Sequence, residues 1–113
     1  MRIIVCGGRN YNNVAHVWRE LDRIHEQTPI SAVMHGGANG VDAIARDWAV
    51  GQGVTRYICK ADWVKHGKAA GPLRNARMME WQPDFVVAFP GGKGTQDCVA
   101  KARVAGIKVI EIT

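Results

Sequence analysis

The chain predicts an α/β domain: one parallel sheet of five strands, covered by helices on both faces. Three features carry this expectation. Short β-branched runs alternate with longer segments whose apolar residues recur every three or four positions. The connections are short, with no repeat, linker or low-complexity tract. Three of the four strand-to-helix turns are rich in glycine. Strands alternating with helices imply right-handed crossovers and a sheet buried on both sides. The doubly wound order 3-2-1-4-5 is expected, because it sets the first and fourth strands side by side at a switch point.

Arg2 to Cys6 is a β-branched run ended by Gly7-Gly8, the signature of a buried strand. From Asn13 to about Gln27, Val14, Val17, Trp18, Leu21 and Ile24 form one helical stripe, with Pro29 just beyond it. Ile30 to Met34 reads as the second strand, followed by Gly36-Gly37-Ala38-Asn39-Gly40. Val41, Ile44, Ala45, Trp48 and Ala49 resume the helical spacing, which runs out near Gly51 and Gly53. On these stripes Trp18 and Trp48 are expected in the core. Val54 to Cys59 is the third strand, and Lys60 to Gly71, without a sustained period, is the longest expected loop. Pro72 suits the first turn of a helix continuing to about Gln82, where Pro83 stops it. Asp84 to Phe89 is the fourth strand. Pro90-Gly91-Gly92-Lys93-Gly94-Thr95 breaks it, and a helix from about Gln96 to Ala105 follows, with Thr95 placed to cap it. Ile107 to Ile112 makes the fifth strand.

The length suits one domain over residues 1–113, and the 47% hydrophobic content excludes a disordered segment. Apolar runs such as Phe85 to Phe89 fall far short of the roughly 20 residues that span a bilayer. Met1-Arg2 runs straight into a strand without the pattern of a signal peptide, so a cytoplasmic location is expected, with no membrane partner. Cys6, Cys59 and Cys98 are scattered and odd in number, which indicates neither a disulfide framework nor a metal knuckle. His35 and His66 lie beside glycine without a cluster of further ligands, so no metal site is expected. The formal charge of +5 is concentrated. Arg56, Lys60, Lys65, Lys68, Arg74 and Arg77 are opposed within their segment only by Asp62, and the rest of the chain balances.

In an open α/β sheet, ligands bind beyond the carboxyl ends of the strands where strand order reverses. The glycine turns at Gly7-Gly8, Gly36-Gly37-Ala38-Asn39-Gly40 and Gly91-Gly92-Lys93-Gly94 fall at that end. Glycine lets the backbone approach an anion, and the following helix offers free N–H groups and a favourable dipole. One such turn means little; three at one end of a sheet predict a phosphate cradle. The dinucleotide spacing G-x-G-x-x-G is absent after the first strand, and the G-K-[ST] of a P-loop is absent altogether.

The string Pro90-Gly91-Gly92-Lys93-Gly94-Thr95 resembles the P-G-G-x-G-T signature of the SLOG superfamily, which includes the lonely-guy phosphoribohydrolases and DprA. Further segments are similar to its YspA/YpsA-related branch: Gly7 to Tyr11, His35 to Asp42, Ala61-Asp62-Trp63 and His66 to Asn75. The resemblance implies a Rossmann-like three-layer fold and a site for a nucleotide or nucleotide-derived ligand, with no cofactor required. It also implies a homodimer or higher homo-oligomer. The phosphoribohydrolases read P-G-G-x-G-T-x-x-E with a catalytic glutamate, and the matching position here is Cys98. Asp97 is the nearest carboxylate, about 100° away on a helix. Arg74 resembles an arginine those enzymes also carry, with Asn75 where a basic residue usually follows. Arg74 and Asp97 are therefore the catalytic candidates if there is a reaction.

The expected ligand-binding set is Gly7, Gly8, Arg9, Gly36, Gly37, Ala38, Gly40, Asp42, Trp63, Lys68, Arg74, Asn75, Pro90, Gly91, Gly92, Gly94 and Thr95. Several have a plainer alternative. Arg9 either turns its donors into the crevice or faces solvent. Asp42 complements the dipole of its helix or meets a ligand, the former favoured. Trp63 stacks on a base or covers the edge of the core. Cys98 is read as an apolar filler, and Trp81 as core or a subunit contact. The leading expectation is a small-molecule nucleotide ligand such as a nucleoside phosphate or ADP-ribose-like compound. Hydrolysis of nucleoside 5′-monophosphates comes second. Single-stranded DNA, gripped as by DprA, comes third, because the interleaved basic and aromatic residues of a strand-tracking groove are missing.

Overall fold

The computed structural model describes all 113 residues. Five parallel strands form one sheet: β1 (Arg2–Cys6), β2 (Ala32–His35), β3 (Thr55–Ile58), β4 (Phe85–Ala88) and β5 (Lys108–Glu111), in the expected order β3-β2-β1-β4-β5. Helices α1 (Val14–Gln27) and α2 (Val41–Gln52) lie against one face. The short α3 (Trp63–His66), a single 3₁₀ turn (Gly67–Ala69) and α4 (Ala70–Glu80) follow β3, and α5 (Lys93–Val104) follows β4. This is a Rossmann-like α/β fold. No helix is long and apolar enough to cross a membrane.

Alternation along β1 sorts its side chains between two cores, since successive residues of a strand point to opposite faces. Ile3 and Val5 pack with Val17, Leu21, Ile44 and Trp48 beneath α1 and α2. Ile4 and Cys6 pack with Met78, Met79, Cys98 and Val99 beneath α4 and α5. Asn13 caps α1, its Oδ1 accepting from the His16 N–H at 3.1 Å, and Gly53 ends α2 in the left-handed conformation at φ 68°. Trp48 is buried, with its indole N–H donated to Asp22 at 2.8 Å.

Four expectations need correction. The stretch from Lys60 to Gly71 is not one loop: Asp62 caps α3 by accepting from the Lys65 N–H, and α4 begins at Ala70, so Pro72 lies inside its first turn. The helix after β4 starts at Lys93, not near Gln96. Gly92 occupies its cap position without a side-chain bond, and Thr95 is no cap. Glycine-rich backbone can enter the helix early, and the apolar stripe that marks it begins only at Cys98. Trp18 is not core; it is 39% exposed and spans to α2, donating its indole N–H to the Ile44 carbonyl at 3.3 Å. Strand β2 is offset, running from Ala32 to His35, and Ser31 ahead of it donates both its N–H and its hydroxyl to the Met1 carbonyl.

Candidate functional site

The switch point lies between β1, which also pairs with β2, and β4. Beyond the carboxyl ends of these strands opens a cavity of about 830 Å³. Its walls come from the three glycine loops, α3, the start of α4 and the start of α5. Arg9, Asp42, Trp63, Lys68, Arg74 and Asn75 all line it, as do Gly7, Gly8, Gly36, Ala38, Gly92, Gly94 and Thr95. Four expected residues do not. Gly37 lines a smaller adjoining depression, Pro90 and Gly91 face a groove on the far side of α5, and Gly40 is packed beneath the β1–α1 loop.

The three loops are bonded to one another, which decides what each has left for a ligand. The Gly8 N–H donates to the Pro90 carbonyl at 2.9 Å, and the Gly8 carbonyl accepts from the Val41 N–H at 3.2 Å. A Cβ on Gly7 would overlap Val41, one on Gly40 would overlap the Gly8 and Arg9 carbonyls, and one on Gly91 would overlap Thr95. These glycines allow loop-to-loop packing. In the β2–α2 loop the N–H groups of Gly36 and Ala38 donate to Asp42 Oδ2 at 3.2 and 3.1 Å, and that of Gly37 to His35 Nδ1 at 3.0 Å. The first turn of α2 already meets the Gly8 carbonyl.

The β4–α5 loop differs. None of the five consecutive N–H groups from Gly91 to Thr95 has an acceptor within the chain; the first helical bond of α5 is donated by Gln96, to the Gly92 carbonyl. Gly92 and Gly94 have open space where a side chain would stand. Helix N-termini with unpaired N–H groups are favourable for anions. Of the three loops, this one has the longest run of N–H groups without an acceptor.

A polar network crosses the cavity floor. The Arg74 guanidinium donates through Nη1 to the Gly36 carbonyl at 2.7 Å and through Nε to Asn75 Oδ1 at 3.0 Å. Asn75, 3% exposed, donates through Nδ2 to Asp97 at 3.0 Å and to the Gly94 carbonyl at 3.2 Å. Lys101 closes the chain by donating to Asp97 at 2.6 Å. Burial works to raise the Asp97 pKa, but the hydrogen bonds from Lys101 and Asn75 and the Lys101 charge outweigh it and hold the carboxyl below its ordinary range. Asp97 therefore lines the cavity as a carboxylate. Asp42 behaves oppositely. At 6% exposure, burial raises its pKa against the N–H groups of Ala38 and Gly36 and the charges of Arg74 and Arg9. It ties down the β2–α2 loop more than it complements a dipole. Cys98, 1% exposed, meets Cys6 and Met78 in the apolar floor, consistent with a filler. The hydrogen bond to Cys98 and burial push the Cys6 thiol far above its usual range, so it stays protonated.

His35 gives the loop a titratable support. Burial first, then the charges of Arg46, Arg56 and Arg74, lower its pKa below the ordinary 6.5. The unfolded chain thus binds this proton more tightly than the folded one, so stability held above about pH 6.5 is lost as pH falls toward the folded pKa. Protonating Nδ1 also removes the acceptor of the Gly37 N–H. Between pH 7 and 5 the wild-type Tm should fall more steeply than that of His35→Gln; parallel slopes in thermal melts would exclude His35 as the cause.

Residues absent from the expected set also line the cavity: Lys93, Gly71, Pro72, Met78 and Cys6 among them. Lys93 stood inside the glycine string. Gly71 falls at the end of the loop expected there, Pro72 carries only the signal of a helix start, and Met78 and Cys6 carry only that of an apolar face.

Comparison with known proteins agrees with this architecture. Residues 1–66 match the model of the YspA, cpYpsA-related SLOG family, which is more than half of the chain. The chain belongs to that family. The matched residues of this SLOG protein run from β1 through α3, so they hold the first two glycine loops and Trp63, while the Pro90 string lies beyond them. The chain is also similar to the gene 61 protein of Mycobacterium phage D29, 41% identical over 117 residues, covering 96% of this chain and 94% of that protein. No solved structure matches it.

Proposed function

We propose that this SLOG protein binds a nucleotide or nucleotide-derived small molecule, a nucleoside phosphate or an ADP-ribose-like compound. Its phosphate sits on the β4–α5 loop. The supporting observation is the row of unpaired N–H groups from Gly91 to Thr95, beside a cavity that also holds the Arg74 guanidinium and Lys68. Both cations belong to the segment that carries the chain's excess positive charge. Arg74 is anchored by only two of its five donors, leaving Nη2 for a phosphate or ribose oxygen. AMP, ADP-ribose and NAD, each at millimolar concentration, are the probes. At least one should raise the Tm by several degrees in wild type and much less in Arg74→Ala. No shift with any of the three would refute the reading.

A second reading has one observation in its favour. Asp97, the neighbour of the position where the phosphoribohydrolases carry their glutamate, is ionised and lines the same cavity. A carboxylate is what stabilisation of an oxocarbenium-like sugar, or activation of a water, requires. Against it, both Asp97 oxygens are already engaged by Asn75 and Lys101. Chromatography of AMP after prolonged incubation separates the readings: free adenine, lost in Asp97→Asn, means hydrolysis.

A further inference from the structure

Trp63 opens α3, and its ring rests on the start of α4, where a Cβ on Gly71 would lie 3.4 Å from the ring edge. Trp63 is 49% exposed, although it is the largest apolar side chain among the residues lining the cavity. What covers it is Arg9, reaching across from the β1–α1 loop to place its guanidinium carbon 5.4 Å from the ring centroid. No carboxylate pairs with Arg9. The pair lines both the 830 Å³ cavity and a second depression of about 210 Å³ over Gly37 and Asn39, together with Gly36, Ala38 and Arg74. Moving Arg9 away would bare the face of the indole that it overlies.

We propose that Trp63 is the base-stacking residue of the site, and that Arg9 covers its ring until a planar base takes that place. The inference rests on the nucleotide-binding reading and adds to it the part of the ligand that is selected: an aromatic base, rather than a sugar phosphate alone. An exposed cation–π contact is weaker than the stacking of a nucleobase on an aromatic side chain, so the exchange is favourable. The displaced guanidinium, unpaired and already at the cavity rim, is free to meet the ligand's anionic oxygens. The two halves of the ligand are then read by separate elements, phosphate by the start of α5 and base by α3.

Calorimetric titration of AMP and ribose 5-phosphate into wild type, Trp63→Ala and Trp63→Phe tests this. Wild type should bind AMP about tenfold or more tightly than ribose 5-phosphate. Trp63→Ala should abolish that preference without weakening ribose 5-phosphate binding, since Arg9 is then free for the phosphate, and Trp63→Phe should keep most of it. If AMP and ribose 5-phosphate bind wild type equally, or if Trp63→Ala weakens both alike, base stacking is wrong and the phosphate site stands. If neither ligand binds wild type, the nucleotide reading itself fails and this inference with it. Retained ribose 5-phosphate binding also shows that Trp63→Ala has folded.

Discussion

Gly40→Ala should destabilise the protein by about 3–4 kcal/mol, seen as a Tm lower by roughly 10 °C or more. Two costs combine. Gly40 sits at φ 71°, ψ −129°, a region that is essentially restricted to glycine. Its missing Cβ also faces the Gly8 and Arg9 carbonyls, which are backbone atoms with no rotamer to escape through. Relieving the overlap means pulling the β1–α1 loop off the start of α2 and breaking the bond from the Val41 N–H to Gly8. Gly53→Ala is the control. Gly53 also has positive φ, at 68°, but nothing lies within 4 Å of its would-be Cβ, so its cost should stay near 1 kcal/mol. Equal effects of the two substitutions in urea denaturation would mean that loop-to-loop packing contributes nothing.

Arg74→Ala should weaken AMP binding by about a hundredfold, which is close to 2.8 kcal/mol. That is the scale expected for losing charge-assisted hydrogen bonds in a half-buried site. Arg74→Lys keeps the charge but not the fork, and should recover only part of the loss. Gly36→Ala is the sharper variant. A Cβ at Gly36 would overlap the guanidinium that donates to the Gly36 carbonyl, so the arginine must shift while its charge stays in the cavity. If position matters, affinity falls in Gly36→Ala as well; if only local charge matters, calorimetry will show it close to wild type.

Much of the fold was legible in the residues because the signals were local. The continuous β-branched run of Arg2–Cys6 and the period-three-and-four spacing in Val14–Gln27 are properties of a few consecutive positions, and the alternation of such segments constrains the topology strongly. The failures were of another kind. Trp18 shares its stripe with Val17 and Leu21, yet a stripe has edges, and only tertiary packing shows that Trp18 lies on one. α3 is four residues long and leaves no period to detect. The site was half legible. Glycine strings marked its walls, but glycine at Gly7, Gly40 and Gly91 serves contacts between loops far apart in sequence, whereas Gly92 and Gly94 face open space. No spacing rule separates these two uses. Likewise the Arg74–Asn75–Asp97–Lys101 network joins α4 to α5, and only the folded chain brings its members together.

The proposed seat of the phosphate is the start of α5 and not the three glycine loops in common. Amide proton and nitrogen shifts during titration with AMP test it residue by residue. The largest saturable changes are expected at Gly92, Lys93, Gly94 and Thr95, with smaller ones at Gly36, Gly37 and Ala38, whose N–H groups are already bonded to Asp42 and His35. Changes centred on Gly36 to Ala38 and the start of α2, with Gly92 to Thr95 unmoved, would contradict it.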